Sequence, residues 1–198
     1  MPPWEVIPMK KLDYMLENPG ILNYSPLFCK IKIMEVKMFN RGQSAGKTSD
    51  KDIKYYLSGF ADGEGSFNVS TIKRSDYKFG WKVSLSFNIS QKDDTVPKIF
   101  KNILNCGRIR YRKDGICYFE VRKIKDLTEI VIPFFETYSL LSENKKKVFA
   151  IFCKITEIIR QKRHLDKKGM EEILKLRDLI LVNRERKYSK QQILNSYQ

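Results

Sequence analysis

The chain has few of the residues that build metal clusters or nucleophilic triads. It holds four cysteines in 198 residues, none of them in a Cys-x-x-Cys pair, and a single histidine, His164. A zinc site of cysteine and histidine ligands is therefore not expected. A Ser-His-Asp triad would depend on His164, which is a poor candidate because it lies in a run of charged residues. Scattered, unpaired cysteines are typical of a reduced compartment.

Long apolar runs are also missing. No segment approaches the roughly 20 apolar residues that cross a bilayer, so no membrane partner is expected. The N-terminal region has no apolar signal-peptide core, and it carries Glu5, Asp13 and Glu17, which are unusual in transit peptides. We expect an intracellular protein, in a bacterial cytoplasm or in an organelle matrix, and the sequence does not separate these two.

Acidic residues are outnumbered by basic ones. The chain has 38 Lys and Arg against 23 Asp and Glu, which gives a net charge of +15. So strong an excess favours a polyanionic partner, most simply nucleic acid. Charge alone does not distinguish a nucleic-acid-binding protein from a basic ribosomal or membrane-surface protein. The sequence motifs provide that distinction.

The chain divides into three predicted regions. Residues 1–46 contain five of the seven prolines and are expected to form a weakly ordered leader. Residues 47–183 hold the periodic apolar patterns and are long enough to bury the core of one domain. Residues 184–198 are predicted to be a basic C-terminal tail.

A predicted helix ends in two acidic residues and glycines. Ile53, Tyr56, Leu57 and Phe60 recur at helical spacing and predict one apolar face. The sequence then continues Ala-Asp-Gly-Glu-Gly, which places the helix end at Glu64. A carboxylate at that point faces the negative end of the helix dipole, and a divalent cation would offset the cost.

The order of elements is typical of an α+β domain. Two strands with period-two alternation, at 67–72 and 82–90, precede a short helix at 94–104 and a hairpin at 108–122. Three helices follow, and the first is expected to kink at Pro133. We predict a four-stranded antiparallel sheet saddle backed by helices on its apolar face, an αββαββα arrangement with extra C-terminal helices.

The other face of that sheet is polar and basic. Short polar side chains mixed with Arg and Lys on β-ribbons suit base edges in a DNA major groove, and surrounding cations hold phosphates. A solvated outer face would also be polar, but the positive charge beside the acidic motif favours a nucleic-acid surface. The residues predicted to contact DNA are Asn68, Ser70, Arg74, Lys82, Ser84, Ser86, Asn88, Lys92, Arg108, Arg110, Arg112, Tyr118 and Arg122.

The segment LSGFADGEGSF, residues 57–67, resembles the LAGLIDADG motif of homing endonucleases. The variants at its second, fourth, fifth, seventh and eighth positions are Ser58, Phe60, Ala61, Gly63 and Glu64. The resemblance extends over residues 50–182 in element order and is closest over 57–92. It implies a sheet saddle on DNA, with the motif helices packed at a two-fold or pseudo-two-fold axis.

The resemblance also implies roles for individual residues. Glu64 matches the acidic residue that binds the catalytic Mg²⁺, and the carbonyl of Gly63 would be a further ligand. Gln91 matches a polar residue that organises active-site water. Lys145 is the best match to the basic active-site residue, with Lys147 as the alternate.

The motif occurs once, so one chain supplies one metal carboxylate, whereas cutting two strands needs two sites. The resemblance therefore implies a homodimer, with two or more Mg²⁺ near the paired Glu64 carboxylates. The motif helix would pack on itself through its small residues. The predicted interface residues are Leu57, Ser58, Gly59, Ala61 and Asp62, of which Asp62 also serves the helix end.

The predicted function is site-specific, Mg²⁺-dependent cleavage of double-stranded DNA at a long, pseudo-palindromic site, as in an intron-homing endonuclease. Two alternatives share its fold and charge. One is an RNA maturase with intron RNA as its partner, and the other is a non-cleaving DNA-binding regulator. The set Glu64, Gln91 and Lys145 favours the enzyme, because a pure binder needs no carboxylate beside phosphates.

Overall fold

The computed structural model describes residues 49–77, 79–180 and 187–197. The predicted leader, residues 1–46, lies outside these ranges. Four antiparallel strands form one sheet in the order β1-β2-β4-β3. They are β1 (Ser66–Lys73), β2 (Trp81–Gln91), β3 (Arg108–Tyr111) and β4 (Cys117–Val121).

Helices cover one face of this sheet, and the predicted α+β class is confirmed. None of the described helices is long and apolar enough to cross a membrane. The helices are α1 (Asp50–Glu64), α2 (Thr95–Leu104), α3 (Ile124–Asp126), α4 (Ile132–Thr137), α5 (Glu143–Arg160), α6 (Lys167–Ile180) and α7 (Lys190–Leu194).

The core lies between the sheet and the helices and is rich in phenylalanine. Phe67 lies opposite Phe87 in the β1–β2 pair, and both side chains are buried. The ring of Phe67 packs 5.3 Å from that of Phe152 on α5, and the ring of Phe87 packs 5.1 Å from that of Phe135 on α4. These contacts fix the sheet against the helix layer, and ring pairs of this kind contribute beyond their buried area.

The predicted inner face of α1 is partly wrong. Leu57 and Ala61 are fully buried, whereas Tyr56 is 55% exposed. The core-facing line passes through Ile53, Leu57 and Ala61, which recur every four residues, and Tyr56 lies about 100° away from it around the helix. Aromatic residues on both flanks of the true line made the choice of face ambiguous in the sequence.

The helix predicted to kink at Pro133 is instead widened just before that residue. The chain passes from α3 through a π-helical turn, Leu127–Val131, into α4. Proline has no N–H to donate to the preceding turn, and a π-turn accommodates the lost bond. The predicted irregularity therefore takes the form of a change in helical pitch.

The predicted basic tail is not separate from the domain where the structure describes it. Ile193, Leu194 and Tyr197 are buried in a second, smaller core. The indole N–H of Trp81, on β2, donates to the hydroxyl of Ser196 at 3.1 Å. The rest of this cluster is buried Met170 and Leu174 of α6. The prediction of a separate tail rested on the basic composition of the segment, in which only these three residues form an apolar face.

Candidate active site and nucleic-acid interface

A single residue, Gly65, joins the motif helix α1 to the first strand. The N–H of Gly65 donates to the carbonyl oxygen of Ala61 at 2.9 Å. A Cβ atom on Gly65 would lie 2.5 Å from that same oxygen, which is closer than real Cβ atoms approach. Glycine is therefore required here, and the turn holds the exposed Glu64 at the end of the sheet.

Lys145, in the first turn of α5, reaches this turn. Its ammonium group donates to the carbonyl oxygen of Gly65 at 2.6 Å. Lys145 is partly buried, whereas Lys147 is exposed. Between the two lysines proposed as alternates, the structure places Lys145 beside the acidic end of the motif.

Asp62 binds Ser142, the residue just before α5, in a tertiary contact here termed the Asp62 cap. Its carboxylate accepts from the N–H and the hydroxyl of Ser142, at 2.8 and 2.7 Å, and from the N–H of Leu141 at 3.2 Å. Partial burial would raise the pKa of Asp62, but these bonds and the nearby charge of Lys145 outweigh it, so the pKa lies below its ordinary value. Asp62 thus fixes the helix that carries Lys145.

Three of the five predicted interface residues face inward. Leu57, Ser58 and Ala61 are buried within the domain, so the prediction that they contact a second subunit is wrong. The hydroxyl of Ser58 is used inside the chain, where it donates to the carbonyl oxygen of Tyr138 at 2.6 Å. Gly59 is exposed on the opposite side of α1, and so is Gly63 four residues later.

Gln91 lies at the same end of the sheet as Glu64. Ser66, the first residue of β1, pairs with Asn88, so β2 continues three residues past the start of β1. Gln91 pairs with the buried Cys117, and strand alternation places both on the helix-bearing face. The predicted catalytic residues Glu64, Gln91 and Lys145 therefore share one end of the sheet.

The candidate metal position is open. Within the described residues, no group of three or more His, Cys, Asp or Glu side chains could hold an ion. Glu64 is exposed at the C-terminal end of α1, where free carbonyl groups such as that of Gly63 are available. These oxygen donors fit a hard cation that keeps several waters, as Mg²⁺ does, and not a closed protein cage.

The β1–β2 half of the open sheet face carries short polar side chains. Asn68 lies opposite Ser86, and Ser70 lies opposite Ser84. Asn68 and Ser70 are exposed, and Ser84 is partly so, as are the predicted Lys82 and Asn88. Ser86 is only 8% exposed, so the structure does not support its predicted contact with DNA.

The β3–β4 half of the face is built around a carboxylate that the sequence interpretation missed. Glu120 is 5% exposed, and its Oε2 atom accepts from Arg108 at 3.1 Å and from Arg110 at 2.8 Å. Its Oε1 atom accepts from Arg122 at 2.7 Å. Strand alternation had already placed Glu120 on the polar face between Tyr118 and Arg122, so the signal was present.

The remaining predicted DNA-binding residues are Tyr118 on β4 and three basic residues just beyond strand ends, Arg74, Lys92 and Arg112. Arg112 donates to the hydroxyl of Tyr118 at 2.9 Å. Arg74 makes two bonds of 2.8 Å to the carboxylate of Asp76, which offsets its charge, and Lys92 is exposed just beyond β2. The open face thus has a polar half, an arginine-rich half and a basic rim.

Known proteins have similar sequences. "Probable intron-encoded endonuclease 2" of Neurospora crassa is 36% identical over 126 residues, which are 62% of this chain and 28% of that protein. "DNA endonuclease I-CeuI" of Chlamydomonas moewusii is 30% identical over 170 residues, which are 83% of this chain and 77% of that protein. The chain thus spans only part of the length of these relatives.

Solved structures give the same picture. The archaeal intron-encoded homing endonuclease I-Vdi141I, complexed with DNA, has a TM-score of 0.68 and 25% identity, and the match covers 75% of this chain and 96% of that one. I-SmaMI, bound to uncleaved DNA in the presence of calcium ions, has a TM-score of 0.63 and 31% identity, and the match covers 67% of this chain and 46% of that one. The family model described as LAGLIDADG endonuclease matches residues 57–156, half of the chain. This chain belongs to the LAGLIDADG endonuclease family.

Proposed function

We propose that this chain is a homing endonuclease that cuts double-stranded DNA at one long, pseudo-palindromic site by hydrolysing phosphodiester bonds. The observation that carries the proposal is the bond from Lys145 to the carbonyl of Gly65, which fixes a cation beside the carboxylate-bearing end of the motif. The polar and basic open face of the same sheet would hold the DNA. In support, I-CeuI is named a DNA endonuclease, and I-Vdi141I and I-SmaMI were solved with DNA.

The proposed cofactor is Mg²⁺, with two or more ions in each dimer. Glu64 would hold it, with the carbonyl of Gly63 as a second donor, and water and DNA phosphates would complete its shell. When bound, it supplies an activated water and neutralises charge on the scissile phosphate. The structure of I-SmaMI in the presence of calcium ions supports a divalent cation in this family.

The chain's own residues would divide the remaining work. Lys145 offsets the negative charge that develops on the phosphate, and it needs no reorganisation because Gly65 and the Asp62 cap already hold its helix in place. Gln91 orients water through its side-chain amide. Asp62 is a positioning residue and does not meet the substrate.

We propose a homodimer that packs through the exposed stripe of α1. Gly59 and Gly63 lie four residues apart, and apart from the adjoining backbone of α1 no described atom lies within 4 Å of a Cβ placed on either one. Glycine in a helix costs about 1 kcal/mol relative to alanine, and nothing described in the domain requires it at these positions. Close approach of a second α1 would supply the reason, and it would bring two Glu64 residues near one axis.

The lengths of the relatives support two units in each active assembly. The match covers 96% of I-Vdi141I but only 46% of I-SmaMI. This is the result expected if the longer chain holds two such domains. A one-motif chain would then reach the same arrangement by dimerisation.

The test is cleavage of a plasmid library with randomised sites, with and without Mg²⁺. Wild type should cut one pattern of sites, and Glu64→Gln should cut none. The matched control is Glu129→Gln, which removes the same single negative charge at an exposed position on the π-helical turn. This variant should cut as wild type does. Absence of cutting, with tight binding to DNA or to an intron RNA, would instead support the regulator or the maturase.

A further inference from the structure

Glu120 is the one acidic side chain among the cations at the centre of the β3–β4 half of the open face. It lies directly opposite Arg108 on β3 and opposite Asn88 on β2. Its two oxygens together accept hydrogen bonds from three arginines, at 2.7 to 3.1 Å. A carboxylate is unexpected on a surface that attracts polyanions, so its presence needs a physical reason.

Neutralising the arginines is not that reason. One carboxylate offsets one of three positive charges, so the cluster keeps a net charge of about +2. Each guanidinium has five N–H donors in a planar fork, and each donates to Glu120 through only one nitrogen. Most donors of all three arginines therefore stay available on the open face.

Stabilising the hairpin is not a sufficient reason either. The three arginine side chains are 50 to 55% exposed. Water and salt screen the arginine side of these pairs, so they contribute less than fully buried pairs would, although Glu120 itself is only 5% exposed. What Glu120 does change is geometry, since without it three neighbouring like charges would swing apart and sample many rotamers.

We propose that Glu120 is a positioning residue for DNA recognition, which holds the three arginines in one fixed arrangement so that they read base edges. A fixed planar fork can make two bonds to the major-groove edge of guanine, whereas a mobile one meets phosphates of any sequence. This inference rests on the proposed function of the chain as a DNA endonuclease. In this inference the carboxylate of Glu120 increases discrimination between DNA sequences and does not increase the overall affinity for DNA.

Two substitutions distinguish the effect of the charge of Glu120 from the effect of its side-chain length. Glu120→Gln keeps the shape but removes the charge that gathers the arginines. It should bind random DNA more tightly, with a steeper salt dependence, and discriminate the selected site about tenfold less well. Glu120→Asp keeps the charge but withdraws it by one methylene, so affinity for random DNA should stay at the wild-type value while discrimination still falls.

The experiment is selection from a randomised double-stranded DNA library, followed by titration of the selected site and of random DNA at several salt concentrations. Glu129→Gln is the control, because it makes the same charge change away from the sheet face. NMR signals of the arginine side chains provide a readout that needs no DNA. The Nε–H of Arg122, assigned with Arg122→Lys, should be protected from exchange in wild type and lose that protection in Glu120→Gln.

The outcomes separate this inference from the proposed function. A wild-type protein that selects no sequence would overturn both. A selective wild type whose Glu120→Asp variant keeps full discrimination would overturn only the positioning role, and so would an unprotected Arg122 Nε–H in wild type. Because Glu120→Asp keeps a negative charge among the three arginines, it tests the inference even if Glu120→Gln does not fold.

Discussion

The ammonium group of Lys145 and the carbonyl oxygen of Gly65 are 2.6 Å apart and joined by a hydrogen bond across 80 residues of sequence. This bond fixes a positive charge where α1 ends and β1 begins. The capping of α5 by Asp62 holds the same region from the other side. Two independent contacts thus set the position of one cation relative to the motif carboxylate, and catalytic stabilisation of charge depends on such prior order.

Replacement of Lys145 should therefore slow cleavage more than it weakens binding. Lys145→Met keeps the length of the side chain and removes its charge. We expect the single-turnover cleavage rate to fall by about 10² to 10³-fold, the usual effect of deleting one preorganised group that stabilises charge. Lys147→Met, the same change two residues away on an exposed position, should alter the rate little. Equal losses in both variants would contradict the role of Lys145.

Glu64→Gln should separate DNA binding from cleavage. The variant removes one negative charge per subunit from a surface that meets phosphates, so DNA affinity should be kept or increased in the absence of metal. In wild type, adding Mg²⁺ should strengthen binding, and in the variant that gain should disappear. Gel-shift titrations with and without Mg²⁺ measure both effects, on target DNA made uncleavable so that wild type does not cut the probe. A variant that no longer binds DNA would show that Glu64 is needed for folding or docking and not for the metal.

Much of the fold was readable from local patterns. The alternation Val83, Leu85, Phe87 and Ile89 gave the buried face of β2, and the turn Lys113-Asp114-Gly115 gave the β3–β4 hairpin. Period and turn chemistry are properties of neighbouring residues, so one sequence contains them. The match of Lys145 to a basic site residue depended on family resemblance, and the fold places that side chain beside the motif.

What the sequence did not reveal depends on contacts between distant segments. The sequence predicts for Asp62 only a role at the helix end or in an interface. Its bonds to Ser142 join residues 80 positions apart, and local sequence patterns do not reveal contacts of that kind. In the sequence Glu120 is one polar residue of an alternating strand. Its contacts are with three arginines that come together only in the folded hairpin. The buried face of α1 was misplaced at Tyr56 for a similar reason, since apolar residues occupy two overlapping arcs and only packing selects one.

Loss of the Asp62 cap should destabilise the domain in a pH-dependent way. Asp62→Ala removes the carboxylate that accepts hydrogen bonds from Ser142 and Leu141 and should cost about 1–2 kcal/mol of unfolding free energy. The pKa of Asp62 is lowered from 3.8 in the folded state, so its stabilisation is complete above that ordinary value and is lost as pH falls through the folded-state pKa. The difference from wild type should thus be largest above about pH 5 and vanish in strong acid.

Urea unfolding of wild type and Asp62→Ala at several pH values measures this difference. Glu136→Ala, an exposed carboxylate on α4, serves as the control and should show a small and nearly constant effect. A cost for Asp62→Ala that stays the same down to strong acid would mean that packing, and not the ionised cap, is lost. Cleavage by Asp62→Ala should also slow, because the start of the helix that carries Lys145 is no longer fixed.

Substitutions at Gly59 should affect the isolated domain and the dimer in opposite directions. Apart from the adjoining backbone of α1, no described atom lies within 4 Å of a Cβ at this position, so Gly59→Ala fits the monomer and should raise its unfolding free energy by up to about 1 kcal/mol. In the dimer the same methyl group would hold two α1 helices apart. Gly59→Leu should therefore be a folded monomer, with the two Glu64 sites separated and double-strand cleavage lost.

Sedimentation equilibrium over a range of concentrations measures this association, and thermal unfolding at low concentration measures the monomer. Asn102→Leu, an equally large apolar change on the exposed side of α2, is the control and should leave association unchanged. A Gly59→Leu protein that dimerises with wild-type affinity would show that α1 does not form the interface. A monomer that still nicks one DNA strand would show that each domain carries a complete site and that the second subunit contributes only the second cut.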